Sequence, residues 1–324
     1  MPRYSKDFFA RRSEDTGFVR DTLEKVYRLV DILEYFNRNP LLRESVALKG
    51  GTAINLTIFN LPRLSVDIDL DYLKPVGRNA MLAERQHITA DILKYMETQN
   101  YTLSPKAKRT HSLDSWVFRY INSARNWDNI KVEINYSMRM HILPTKERGI
   151  ACEHFSSDYG INSLAAIEIF ASKISALMDR AAARDLYDVN NMILFGLFDE
   201  SEQELLRKSV VFYLALASRT PNIDFGTSRI DELTDHRIRT DLIPVIRRKE
   251  YFSLDEAKSR VKDFVSELMI LTPREEEFVT RFWNKEYRPE LLFEDATIVE
   301  RIEQHPMALW KMRDTGGTDL GEPG

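Results

Sequence analysis

The stretch "LSVDIDLDYL", residues 64–73, alternates apolar and polar side chains without a break. A period of two is that of a β-strand, whose successive side chains point to opposite faces. Ser65, Asp67, Asp69 and Asp71 therefore share one face, roughly 6.5–7 Å apart, opposite Leu64, Val66, Ile68 and Leu70. Like charges so close repel, so this face needs either open solvent or a positive charge against it. In the first case the aspartates are the solvated face of an edge strand, kept charged against aggregation. In the second they hold a cation. Hard oxygen ligands favour Mg²⁺ or Mn²⁺, with Asp67 and Asp69 as first ligands.

What precedes the strand favours the cation. Residues 48–59 read "LKGGTAINLTIF", a glycine turn followed by a helix. Consecutive glycines let backbone approach a ligand closely, and amides at a helix start make an anion cradle. Gly50, Gly51 and Thr52 fit that role, with the Thr52 hydroxyl as a further donor. A phosphate cradle beside a carboxylate strand belongs to nucleotide chemistry.

The segment resembles the first motif of the polymerase-β-like nucleotidyltransferase superfamily. Arg63 and Ser65 ahead of "DIDLD" narrow the resemblance to AbiEii-type toxins of type IV toxin–antitoxin and abortive-infection systems. That resemblance implies an NTP substrate, a Mg²⁺ or Mn²⁺ cofactor, a tRNA 3′ end as acceptor and a cognate antitoxin. Ser65 and the glycine turn would then lie against nucleotide phosphates, and Arg63 would either sit over the triphosphate or pair with a nearby carboxylate. It also implies a third carboxylate on a neighbouring strand. In "NIKVEINYS", Lys131, Glu133 and Asn135 face one way and Ile130, Val132 and Ile134 the other, which makes Glu133 the candidate. Glu133 is equally readable as a polar residue on a half-exposed strand.

A further constellation lies in "AIEIFASKISALMDRAAARDLYDVNNM", residues 166–192. On one continuous helix, Arg180 and Arg184 lie about 20° either side of Lys173 and Asp188 about 60° away, whereas Asp185 falls about 120° off. Ile167, Ile174 and Met178 suit the buried side. Such a stripe is ordinarily a salt-bridged, solvated helix face. The family resemblance instead matches Lys173, Arg184, Asp185 and Asp188 to a recurring Lys…Arg-Asp-x-x-Asp motif. Lys173 would neutralise the leaving pyrophosphate, Asp188 orient it or touch the nucleotide, and Arg184 bind phosphate or Asp188.

The rest of the chain supplies context. Its 324 residues, 43% apolar with charges of both signs, suit a soluble globular protein, and the net charge of −4 argues against wholesale coating of nucleic acid. The single cysteine, Cys152, excludes an intramolecular disulfide and a cysteine zinc cluster. No secretory leader or bilayer-spanning run is visible, which points to the cytoplasm and no membrane. Helical periods over 21–36 and 81–100 and strands over 115–123 and 130–138 predict an α+β catalytic domain, residues 1–155, with a small mixed sheet flanked by helices. An all-helical domain, 156–314, completes the active site, and 315–324 is a flexible tail. The basic run Arg237, Arg239, Arg247, Arg248 and Lys249 is either a track for RNA phosphates or a solvated helix surface. Phe278, Phe282, Trp283 and Tyr287, at helical spacing, read as core.

Competing functions within this fold are nucleotidylation of a protein or small molecule, and non-catalytic nucleotide binding. Mutual repulsion of the aspartates has a measurable consequence. Asp67→Asn leaves the metal-free fold intact or slightly more stable in a urea melt; an unfolded Asp67→Asn chain makes the aspartates structural and ends the metal-site reading.

Overall fold

The computed structural model describes residues 4–151, 155, 159–218 and 225–313. Cys152, the expected domain boundary and the expected tail fall wholly or partly outside them. The strands are β1 (Val46–Lys49), β2 (Asp67–Tyr72), β3 (Thr102–Leu103), β4 (Lys108–Arg109), β5 (Leu113–Ile121), β6 (Trp127–Asn135), β7 (Lys146–Arg148) and β8 (Ile161–Ser163). They form one mixed sheet in the order β3-β5-β6-β2-β1-β8-β7, with β4 also on β5. β2 is antiparallel to β1 and parallel to β6. The aspartate strand is thus interior to the sheet. The edge-strand reading of its charges fails, because both its backbone edges are paired.

Helices α1 (Lys6–Thr16), α2 (Arg20–Arg38), α3 (Pro40–Ser45), α4 (Gly50–Ala53) and α5 (Arg78–Thr98) accompany the sheet. In α5, Met81, Arg85, Ile88, Ile92 and Met96 recur every three or four residues and form its buried side. The later helices are α6 (Ala166–Arg180), α7 (Ala183–Leu194), α8 (Glu200–Ala217), α9 (Ser228–Asp231), α10 (Asp235–Arg237), α11 (Leu254–Leu268), α12 (Pro273–Trp283), α13 (Ala296–Ile302) and α14 (Pro306–Met312). α8 and α12 start at capping boxes, Asp199–Glu202 and Thr272–Glu275, which satisfy orphan N–H groups at both starts.

Apolar packing is continuous from Phe9 to Ala308 and includes Phe278 and Phe282, as their spacing predicts. The basic run divides. Arg247 donates to the carbonyls of Leu61 and Pro62 and lies over the Phe18 ring, so it braces the chain just before Arg63. Arg237 and Arg239 are exposed.

Next to the sheet, Arg85 holds Asp114 through Nε (2.9 Å) and Nη2 (2.6 Å) and donates to the carbonyls of Thr110 and His111. Its guanidinium lies 4.5 Å from the centroid of the Tyr136 ring. Both charges are buried. Arg85→Ala, which leaves Asp114 unbalanced, is expected to cost about 3–5 kcal/mol in urea unfolding; a loss below about 1 kcal/mol shows the pair to be idle.

Candidate active site

The floor of the site is built from three adjacent strands. On β2, Ile68, Leu70 and Tyr72 point into the core while Asp67 and Asp69 stay half-buried on the opposite face. Parallel pairing sets Asp69 directly beside Glu133 and Asp67 beside Lys131. Lys131 Nζ holds Glu133 Oε2 at 2.5 Å. On the other side, β1 places Lys49 opposite Asp69, and Lys49 Nζ lies 2.5 Å from Asp71 Oδ1. Burial pushes the Asp69 carboxyl above the usual carboxylate range, and Asp67 and Glu133 add to the shift while Lys49 and Lys173 oppose it. An anionic floor is therefore present and short of positive charge.

The glycine turn is required by closeness. Gly50 has φ +68°, and a Cβ there would stand 2.9 Å from Asp69 Oδ2. A Cβ on Gly51 would stand 2.6 Å from Arg63 Nη2 and 3.0 Å from Ser65 Oγ. A side chain at Gly50 would be strained by the positive φ, and one at Gly51 would have to displace the Arg63 fork. The helix expected after the glycines is a single turn, α4, which opens into a π-helical turn, Ile54–Ile58. Within it, buried Asn55 donates to the Gly51 carbonyl (2.7 Å) and accepts from Arg63 N (3.3 Å), tying the turn to the chain that enters β2.

The wall comes from α6 and α7. They are not one helix, contrary to the expectation from periodicity. α6 ends at Arg180, Ala181 takes a left-handed conformation (φ 45°), and α7 packs back against α6. The turn overturns the helical-wheel geometry. Asp185, placed off the polar arc by that count, sits with Oδ1 2.5 Å from Lys173 Nζ, nearer than Asp188 Oδ2 at 3.2 Å. Arg184 turns away from Lys173 and donates through Nε to the Asp241 carbonyl at 3.0 Å. Asp188 also receives Arg63, by Nε to Oδ1 and Nη2 to Oδ2, both 2.7 Å, while Arg63 Nη1 donates to Leu64 O.

Arg63, Asp185 and Asp188 are buried, Lys173 is partly exposed to the cleft, and their charges sustain one another. Burial alone would neutralise Asp188, but Arg63 and Lys173 outweigh it and hold its pKa below the usual value. For Lys173, burial is outweighed by Asp185 and Asp188, so its pKa is raised and it stays charged.

Two cavities of about 320 Å³ and about 310 Å³ meet over this arrangement, sharing Gly51, Asp69, Lys173, Arg180 and Asp185 in their walls. One extends towards Lys49, Glu133 and Asn135 along apolar walls that include Leu113 and Ile169. The other extends towards Ser65, Asp67, Arg184 and Asp241. The expected residues Gly50, Gly51, Ser65, Asp67, Asp69, Glu133, Lys173 and Arg184 all line this two-lobed cleft.

One expectation needs correction, and one open choice closes. Thr52 is fully buried and its hydroxyl donates to the Asp67 carbonyl at 2.5 Å, so it locks the turn to β2 and is not placed to meet a phosphate. Of the two readings of Arg63, the structure takes the carboxylate pair: it is spent on Asp188 and Leu64, not directed at a triphosphate. The residues that sequence reasoning passed over are Lys49, adjacent to the glycines, and the Asp185 contact. Lys49 carries a signal in hindsight, a cation on the strand preceding an acidic one. The Asp185 contact had its signal only in the motif resemblance, since "RAAAR" contains no helix breaker and the helical count turned Asp185 away.

The carboxylate set fits a hard divalent cation: the donors are all oxygen and Asp69 is destabilised as an anion. Among the described residues no group of three or more His, Cys, Asp or Glu side chains is gathered closely enough to hold a metal ion. A cation over Asp67 and Asp69 would therefore complete its shell from water and substrate, which suits Mg²⁺.

A model of the AbiEii family, described as nucleotidyl transferase toxins of a type IV toxin–antitoxin system, matches residues 31–280. Among solved structures, MenT4, a nucleotidyltransferase toxin from Mycobacterium tuberculosis H37Rv, superposes with a TM-score of 0.63, covering 96% of this chain and 99% of its own. At 16% identity that likeness concerns the fold alone. No curated protein sequence matches.

Asp188→Ala leaves Arg63 and Lys173 as buried cations with too little negative charge, and is expected to cost about 3–5 kcal/mol in urea unfolding at pH 7. The native pKa of Asp188 is depressed, so its contribution is present above the unfolded value near 3.8 and lost as pH falls through the lower native one. The difference between wild type and variant should accordingly persist at pH 5 and shrink only below about pH 4. A variant as stable as wild type at pH 7 shows the network to be dispensable.

Proposed function

The chain belongs to the AbiEii family of nucleotidyl transferase toxins of type IV toxin–antitoxin systems, and from that premise we propose that it transfers a nucleoside monophosphate from an NTP to the 3′ end of a tRNA. In this reading it inhibits growth in the cytoplasm until a cognate antitoxin restrains it. Its fold is that of a nucleotidyltransferase toxin. No helix among the described residues is long and apolar enough to cross a membrane. The observation that carries the reading is the opposition, across one cleft, of Asp67 and Asp69 on β2 and the half-buried, charged Lys173 on α6.

In the proposed reaction an acceptor hydroxyl attacks the α-phosphorus. A new P–O bond forms, the bond to the β-phosphate bridging oxygen breaks, and pyrophosphate leaves with that electron pair. Asp67 and Asp69 would hold Mg²⁺ or Mn²⁺, which would supply positive charge at the transferring phosphoryl group. Glu133, level with Asp69, takes the hydroxyl proton and passes it to water. Lys173 stands fixed by Asp185 and Asp188, so its charge is already in place as charge develops on the leaving oxygens. Gly50 and Gly51 keep the floor open for phosphate oxygens, beside Ser65. Arg63 and Asp188 act by positioning, and Thr52 by holding the turn. The helical residues 166–194 complete the active site, which favours treating the two halves of the chain as one catalytic unit.

The test is incorporation. Purified protein with Mg²⁺, each α-labelled NTP in turn and total cellular RNA is expected to label a tRNA-sized band. Asp69→Ala and Lys173→Ala, checked for folding by circular dichroism, are expected to lower the rate about 10²–10³-fold. Label in protein instead of RNA transfers the acceptor to a protein. Binding of NTP with no labelled product in RNA or lysate overturns the transferase reading for the chain alone.

A further inference from the structure

We propose that Arg180, and not Arg63, is the guanidinium that grips the triphosphate of the incoming nucleotide, an inference that rests on the nucleotidyltransferase reading of this cleft. Three arginines line the lobe beside Asp67: Arg63, Arg180 and Arg184. Arg63 is buried and its fork is closed on Asp188. Arg184 is tethered through Nε to the Asp241 carbonyl and borders this lobe only. Arg180 borders both lobes, and its side chain is 69% exposed.

What holds Arg180 is weak and easily released. Its Nη2 stands 3.6 Å from Asp185 Oδ2, beyond hydrogen-bond length. That oxygen is buried and has no hydrogen-bond partner among the described residues. The guanidinium is therefore poised by charge without being locked by geometry, and a long contact from so exposed a guanidinium contributes little to stability. Asp185 does not lose its balance when Arg180 leaves, because Lys173 Nζ remains 2.5 Å from Oδ1. The root of the side chain, in contrast, is fixed: Arg180 is the last residue of α6, and the Ala181 N–H that closes the turn donates to Leu177 O at 3.1 Å.

A long side chain with a fixed root and a loosely held planar fork at the mouth of both lobes matches phosphate recognition, in which an arginine donates two parallel hydrogen bonds. Lys173 behind it is a compact charge held by two carboxylates. Arg180 is the adaptable partner, able to follow the β- and γ-phosphates as they enter and to release them as pyrophosphate.

The full-length protein tests this with Arg180→Ala and Arg180→Lys, measured for KM against NTP at saturating RNA, for KM against RNA at saturating NTP, and for binding of an α,β-methylene NTP analogue by calorimetry. KM for NTP and the analogue Kd are expected to rise about 10- to 100-fold in Arg180→Ala, with Arg180→Lys recovering only part because an ammonium lacks the fork. KM for RNA and the unfolding midpoint of the free protein should stay unchanged. A rise in KM for RNA with unaltered analogue binding assigns Arg180 to the acceptor and overturns the proposal, as does unaltered binding throughout. If wild type labels no acceptor, the transferase reading fails, while the binding measurement still decides whether Arg180 holds the triphosphate.

Discussion

The buried ion network of Arg63, Asp188, Lys173 and Asp185 joins parts of the chain 125 residues apart, and the site depends on it. Arg63 stands just before β2, and Asp188 lies on α7. Burying either alone would be prohibitive, so each fixes the other. Through that bond the aspartate strand and the helical wall keep a set spacing, and Lys173 is held over the cleft as a cation. The network's net contribution to stability is modest compared with its gross Coulomb energy, since desolvation offsets most of the attraction. Its clearer consequence is geometric: one arrangement satisfies all four groups.

Charge on the floor is handled in the opposite way. Asp71 is neutralised inside the sheet by Lys49, and Glu133 by Lys131. Among the described residues Asp69 has no such close partner, and its carboxyl is pushed up by burial. The unrelieved charge therefore sits beneath the glycine crossing, where a Cβ would collide with it. Of the carboxylates that line the cleft, Asp69 is the one whose charge is opposed by its surroundings, and such perturbed groups cluster at functional sites.

Legibility in the sequence varied with how local the physical cause was. Alternation in "DIDLD" and in "IKVEIN" announced both strands and their polar faces, since a period of two has one geometric meaning. Gly50 and Gly51 announced a close backbone approach. The sequence could not announce the turn at Ala181, where three alanines favour continuing the helix. A left-handed alanine costs about 1–3 kcal/mol, and the reversal persists because it lets Asp185 and Asp188 meet Lys173 and Arg63. The short strand β8 escaped as well, for its pairing is decided by β1, far back along the chain. Thr52 and Arg63 carried the right chemistry for phosphate, and burial redirected both of them.

The sequence by itself determined the family, the aspartate strand, the glycine crossing and the residues from which a cationic wall could be made, because each is written in short-range spacing and residue type. Tertiary structure alone decided which cations are free. Arg63, Arg180 and Arg184 are chemically identical; only the fold closes the first on Asp188, ties the second loosely to Asp185 and turns the third to Asp241. Charge pairing depends on distance and burial, which sequence spacing does not encode once the chain reverses.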